Sequence, residues 1–250
     1  MKHLSIDIET KSSEDITDTG LYKYAQSDDF EVLLFAYKVD DESTLIVDLA
    51  ASESIPAAIV EALNDSSVIK HAYNAAFEWY CLNRAGYKTD ISHWRCTMVH
   101  ALYCGYPAGL DATGKAIGIA ADKQKLKEGK ALINYFCKPC KPTKANGGRC
   151  WNLPSHDPER WQHFKEYCVR DVEAEYTILE ALKPYPVPLS EELQWQYDTL
   201  MNARGARVDT KLIEASNYVD EVIKKELTEK AKELTGLSNP NSSTLRMATR

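Results

Sequence analysis

The sequence has no apolar run near the ~20 residues that a membrane-spanning helix needs, which argues against a helical membrane protein. Its first residues do not form a secretory signal, because Asp7 and Glu9 interrupt any apolar core, and the expected compartment is the cytoplasm. Cysteine is sparse: seven residues, an odd number scattered without a framework, suit reduced thiols and not a disulfide scaffold. The six histidines show no pair at helical spacing. A glycine-rich phosphate loop is missing, since "GKAIG" at 114–118 lacks the required pattern. No internal repeat is visible. Net positive charge is also lacking: at −7 the chain does not read as a passive coat for nucleic acid.

What is present is an ordinary globular composition, 44% hydrophobic and 27% charged over 250 residues. That length suits one large domain, or one domain and part of another. The charge is uneven. Lys123 to Arg149 carries eight basic residues and one acid, Glu128. Such a stretch either guides a polyanion or is a solvated lysine-rich surface.

"LSIDIETKSS" at 4–13 alternates Leu4, Ile6 and Ile8 with Ser5, Asp7 and Glu9, the period of a strand. "FEVLLFAYKV" and "STLIVDL" predict two more strands around an acidic turn at Asp40–Ser43, giving a three-stranded antiparallel meander. "IPAAIVEALN" predicts a helix, "SVIKHAY" a short buried strand, and "NAAFEWYCLNRAG" a helix stopped by Gly86. "CTMVHALYC" and "LDATGKAIG" predict short helices, and 138–156 a loop. Asp157-Pro158 starts a helix to about Leu182, with Trp161, Phe164, Cys168, Val172 and Leu179 as its core stripe. The three prolines of "KPYPVPLS" make a stiff linker, and helices follow at about 190–203 and 210–235. Strands first, then βαβ and helices, indicate a mixed α/β domain with a helical extension.

Asp7 and Glu9 lie two apart on one strand face, where like charges crowd. Glu78 lies one turn into the helix after "HAYN". Asp171 lies mid-helix, with Tyr167 four residues earlier on the same face. Separately each acid suits an ordinary surface or boundary position. Together they offer the converging oxygen ligands that two hard divalent cations require, an arrangement suited to displacement at phosphorus. Such ions would relieve the repulsion between Asp7 and Glu9.

At these residues the sequence resembles the 3′–5′ exonucleases that carry four acids. "SIDIET" is similar to their first motif, "NAAFE" at 74–78 to the second, and "YCVRD" at 167–171 to the tyrosine-bearing third. "LMNARGARVDTKLIEASNYVDEV" and "LTGLSNPNSSTLR" resemble the start of the thumb of phage-type family-A DNA polymerases. The resemblance implies a ribonuclease H-like mixed sheet flanked by helices. It divides the chain into an exonuclease domain at 1–183, a linker at 184–189 and a truncated thumb start at 190–250. The palm and fingers would be the missing partner, and the host cytoplasm the location of a phage product.

The resemblance also implies roles. Asp7 would bridge two Mg²⁺ or Mn²⁺ ions, Glu9 and Asp171 would complete the first site, and Glu78 would face the second. Tyr167 would orient the attacking water. Thr10 would touch the terminal nucleotide through its backbone, Asn74 would brace the second motif, and Phe77 would anchor the helix start beside the substrate. Glu78 departs from the family pattern, which usually has Asp there.

Lys138, Lys141, Lys144 and Arg149, with Trp151, suit a path for single-stranded DNA, with cations for phosphates and a ring for a base. Cys137, Cys140, Cys150 and His156 have a spacing that zinc sites use, though nothing else requires that loop to be stapled. The main expectation is a proofreading exonuclease acting on the 3′ end of single-stranded DNA and releasing nucleoside monophosphates. An RNA-trimming enzyme of the same fold and an inactive scaffold or DNA-binding module are the competing readings.

Overall fold

The computed structural model describes residues 1–119 and 123–242. Contacts divide the chain into two units, Met1–Arg204 and Gly205–Arg250.

The first unit is built on a five-stranded sheet. β1 (His3–Lys11), β2 (Glu31–Val39) and β3 (Leu45–Asp48) form the expected antiparallel meander. β4 (Ile69–Ala72) joins β1 in parallel, and β5 (Trp94–Cys96) extends the edge in parallel, giving the order β3-β2-β1-β4-β5. β1 is therefore central and covered on both faces, as its burial shows.

Helices cover each face. Leu4, Ile6 and Ile8 enter one core with residues of α1 (Ile16–Gln26), α2 (Ala57–Asn64) and α3 (Ala75–Arg84). α4 (Thr97–Tyr103) and α5 (Leu110–Ile117) follow β5, and Ala101 of α4 joins a small third cluster. The other core lies between β2 and two helices, α6 (Lys123–Phe136) and α7 (Pro158–Leu182). There Phe136, Trp161 and Phe164 stack and cross at 4.8–5.7 Å between ring centroids. Asp157 caps α7 by accepting from the Arg160 amide at 3.1 Å, with Pro158 at the first helical position, as read from the sequence. The α7 ring of Trp161 also donates to the Asp48 carboxylate at 2.7 Å, fixing that helix end to β3.

β1 and β2 change register between Glu9 and Thr10, where Glu9 faces Leu34 and Thr10 faces Val32. Leu33 is the extra residue, a β-bulge. Its effect is visible in the cores: Val32, Phe35 and Tyr37 join one, whereas Leu33, Leu34 and Ala36 join the other.

α8 (Leu189–Arg204) belongs to this first unit. Arg95 pairs with Glu192 at 2.9 Å, the Gln196 amide donates to the Ser92 carbonyl at 3.4 Å, and Trp195 packs on the core. By these contacts α8, which lies beyond the proline segment 184–189, groups with the first unit. In the second unit α9 (Thr210–Thr235) is capped by Asp209, which accepts from the Leu212 amide, and stops at left-handed Gly236. Its apolar side chains, such as Leu212, Val219 and Leu227, are exposed. Residues 243–250 of the expected thumb start lie outside the described residues. No described helix is long and apolar enough to cross a membrane.

Three elements differ from the sequence expectation. α1 was not foreseen, because Gly20 sits inside it at φ 78° and kinks it. β5 has only three residues, the last of which, Cys96, read as the first residue of a helix. The basic stretch is helical over α6 before it becomes a loop.

Candidate active site

The odd-numbered face of β1 looks toward α7. Asp7 and Glu9 lie on it, and Cys168 of α7 donates to the Asp7 carboxylate at 3.3 Å. Asp171 is three residues further along α7, with the Tyr167 hydroxyl beside its carboxylate and favouring its charged form. Glu78 enters from the first turn of α3, buried at 5% exposure. Three elements therefore bring together the five residues singled out from the sequence: Asp7, Glu9, Glu78, Tyr167 and Asp171.

The electrostatics follow from this convergence. Burial, then the charges of Asp171, Glu9 and Glu78, holds the Asp7 carboxyl well above its ordinary range. Burial, with Asp171 and Glu78, does the same to Glu9. Burial pushes Asp171 up to about 6 and Glu78 up to about 8, the latter helped by the charge of a further acid, Glu175. Burial and the surrounding carboxylates also raise the Tyr167 phenol, which therefore stays protonated and able to donate. One oxygen of Glu78 is buried without a hydrogen-bond partner. Such a cluster of unneutralised acids suits a cation: its donors are hard oxygens, and an orphan oxygen is at hand. Asp7, Glu9 and Cys168 each offer a ligand atom within 4.8 Å of one another.

The remaining expected residues are placed as follows. Thr10 is buried, with its hydroxyl 2.7 Å from that of Tyr24. Asn74 is exposed at the start of α3, where its carbonyl accepts from the Phe77 amide at 2.8 Å. Phe77 packs against the first core, 6.3 Å from the Tyr24 ring. Lys138 is tied to Asp15 at 2.7 Å. Arg149 donates to Asn152 at 2.9 Å and so shapes its own loop. Lys141 and Lys144 are exposed. The basic loop meets β1 near the acids: the Ser12 amide donates to the Cys137 carbonyl, and Lys11 lies 5.6 Å from the Trp151 ring centroid.

The zinc spacing does not correspond to a cluster. Among the described residues, Asp7, Glu9 and Cys168 group as possible ligands, whereas Cys137, Cys140, Cys150 and His156 do not. The physical reason is local. Cys137 is buried at the end of α6, the Cys140 thiol turns toward the Arg149 carbonyl at 3.4 Å, and His156 accepts from the Leu153 amide at 2.8 Å.

Three residues of the site were missed in the sequence. Cys168 read only as part of a core stripe. Glu175 continues that stripe, and a charged residue at an apolar position was the available signal. Gly129 of α6 meets the Tyr167 ring so closely that a Cβ there would lie 2.4 Å from it.

A scan against protein-family models finds no match. In sequence the chain is similar to the DNA polymerase of Bacillus phage SP02, with 48% identity over 243 residues, which are 97% of this chain and 37% of that protein. The chain thus spans little more than a third of that relative's length. In structure it is similar to Trypanosoma brucei RNase D complexed with RNA U12, at TM-score 0.53 and 17% identity, covering 83% of this chain and 65% of that one. The GMP complex of T. brucei RNase D gives TM-score 0.51 and 18% identity, covering 83% and 60%. The fold is therefore the ribonuclease H-like mixed sheet that the motifs implied, and the resemblance to a phage DNA polymerase is borne out in sequence.

Proposed function

We propose that this chain is the 3′–5′ exonuclease portion of a DNA polymerase, hydrolysing the 3′-terminal phosphodiester of single-stranded DNA and releasing nucleoside monophosphates. The observation that carries this reading is the convergence of Asp7, Glu9, Glu78 and Asp171, with Tyr167 beside Asp171. Its similarity to a phage DNA polymerase supports the same reading.

Two divalent cations, Mg²⁺ or Mn²⁺, fit the donor set. Asp7 would contribute to both, Glu9 and Asp171 to the first and Glu78 to the second. When bound, such ions supply an activated water and stabilise the leaving oxygen. The protein's own residues do the rest. Tyr167, kept protonated, orients the attacking water beside Glu9. The central position of β1 and the packing of α7 hold the carboxylates without reorganisation. Thr10 offers backbone to the terminal nucleotide, Asn74 and Phe77 support the start of α3 beside it, and Lys141, Lys144 and Arg149 lead the strand toward the acids. In this reading 190–250 begins the polymerase thumb, and the palm and fingers are the partner region.

The test is a 3′-labelled single-stranded oligonucleotide incubated with Mg²⁺, with Mn²⁺ and with chelator. Stepwise loss of mononucleotides is expected with metal only, and Asp7→Ala should abolish it. If Asp7→Ala degrades DNA as fast as the parent, the reading is wrong.

A further inference from the structure

We propose that Glu175 is a positioning residue: through Thr97 it locks the register of α7 against the sheet and so sets Asp171 and Tyr167 opposite Asp7 and Glu9. This rests on the exonuclease reading above.

The buried face of α7 runs through Trp161, Phe164, Cys168, Val172, Glu175, Ile178 and Leu182. Glu175 is the one acid in that row and is 2% exposed. An apolar side chain there would complete the packing at lower cost, because burying a carboxylate is expensive unless its partners compensate. Its partners are specific. The Thr97 hydroxyl, at the start of α4, donates to one carboxylate oxygen. The Ser5 hydroxyl on β1 lies nearby and favours its charged form, while the other carboxylate oxygen is buried without a hydrogen-bond partner. Glu175 thus ties α7 to the start of α4 by a hydrogen bond and packs beside β1 at Ser5.

That point is in step with the catalytic row. Ser5 precedes Asp7 by two strand residues, about 6.6 Å along β1. Glu175 follows Asp171 by four helical residues, about 6 Å along α7. α7 runs antiparallel to β1, so the pair Ser5–Glu175 repeats the pair Asp7–Asp171 one step further on. Cys168, donating to Asp7, is the second fixed point. Apolar contacts between a helix and a sheet are non-directional and tolerate sliding. Hydrogen bonds at a buried carboxylate tolerate much less. Glu175 also lies close enough to Glu78 for its charge to be felt there.

The experiment compares the full chain with Glu175→Leu, Glu175→Gln and Thr97→Val. Steady-state cleavage of a single-stranded oligonucleotide gives kcat and KM, and electron paramagnetic resonance gives Mn²⁺ affinity without turnover. Glu175→Leu should lower kcat roughly 10- to 100-fold with KM for DNA unchanged, as misplacement of a catalytic group by an ångström does. It should weaken Mn²⁺ binding about 10-fold or more, as loss of a supporting partner does. Glu175→Gln keeps an acceptor for Thr97 and should restore most of both. Thr97→Val should act in the same direction as Glu175→Leu, and combining the two should add little. Parental kcat in Glu175→Leu overturns the proposal. So does a Glu175→Gln as impaired as Glu175→Leu, since charge and not the lock would then be at work, and so does full additivity with Thr97→Val. If Glu175→Leu fails to melt cooperatively, Thr97→Val and Glu175→Gln decide. A parent that leaves DNA intact refutes the exonuclease reading, while the Mn²⁺ affinities still report on the lock.

Discussion

A Cβ on Gly129 would lie 2.4 Å from Cε2 of Tyr167, and 2.9 Å from two further atoms of that ring. The only residue that lets α6 approach the tyrosine this closely is therefore one without a side chain. Gly129→Ala should favour the helix by about 1 kcal/mol in isolation, yet force the ring away from Asp171. Exonuclease rate is expected to fall about as far as in Tyr167→Phe, with the double variant no worse. Parental activity in Gly129→Ala would show that α6 yields and that the contact does not position the phenol.

Tyr167→Phe removes one hydroxyl and leaves the packing against Phe164 intact, with the two rings stacked at 6.4 Å. The fold should be unaffected. Cleavage should slow by on the order of 10²-fold, the scale of one general acid–base or water-orienting group. A melting temperature unchanged alongside a reduced kcat would separate the two effects.

Glu78 carries a buried oxygen with no partner. Glu78→Ala should lose most activity in Mg²⁺ and recover part of it in Mn²⁺, which accepts less regular coordination. Glu78→Asp should remain active. Near-parental cleavage by Glu78→Ala in Mg²⁺ would remove this acid from the ligand set.

The metal-free protein should lose stability as pH rises. Asp171 sits at about 6, Glu175 at about 7 and Glu78 at about 8, each raised chiefly by burial. A carboxyl raised on folding contributes stability fully below its unfolded value near pH 4, and that contribution is lost as pH climbs through the folded value. In chelator, thermal melts should therefore decline between about pH 5 and pH 9. Adding Mn²⁺ should recover most of the loss, because a ligand bound only by the native state stabilises it. A flat profile in chelator would mean that the acids do not share a buried site.

The basic loop should steer substrate without taking part in chemistry. Replacing Lys141 and Lys144 with alanine should flatten the salt dependence of single-strand binding by about 1.4 in log–log slope, if each meets one phosphate. The kcat at saturating DNA should hardly change. Lys138 is expected to behave differently, since it is committed to Asp15 at the start of α1. An unchanged slope would make the loop a solvated surface only.

What the sequence revealed and what it concealed follow from how local each signal is. Asp7 and Glu9 share a strand face, and Tyr167 and Asp171 share a helix face, by spacing alone. Glu78 was legible through the similarity of "NAAFE" to the second motif of the exonucleases. The meander was legible because its strands are apolar and joined by an acidic turn. Glu175, Cys168 and Gly129 were not, because their meaning lies in what crosses from another element: Thr97 and Ser5, the Asp7 carboxylate, and the Tyr167 ring. α1 was obscured by Gly20, and β5 by its length of three residues.

Leu33 leaves β2 written in two phases. Up to Val32 the even residues face one layer, and from Leu34 onward the odd ones do. The strand reads as an unbroken apolar run because both of its faces enter a core. Insertions and deletions in this strand are consequently not equivalent to those in a surface turn. Removing the single residue at 33 would leave Val32 and Leu34, already on opposite sides of the sheet, as neighbours, so every position beyond would keep its side and only the bulge beside Glu9, the partner of Leu34, would be lost. A length change of one at that place would reach the acids before it reached the surface.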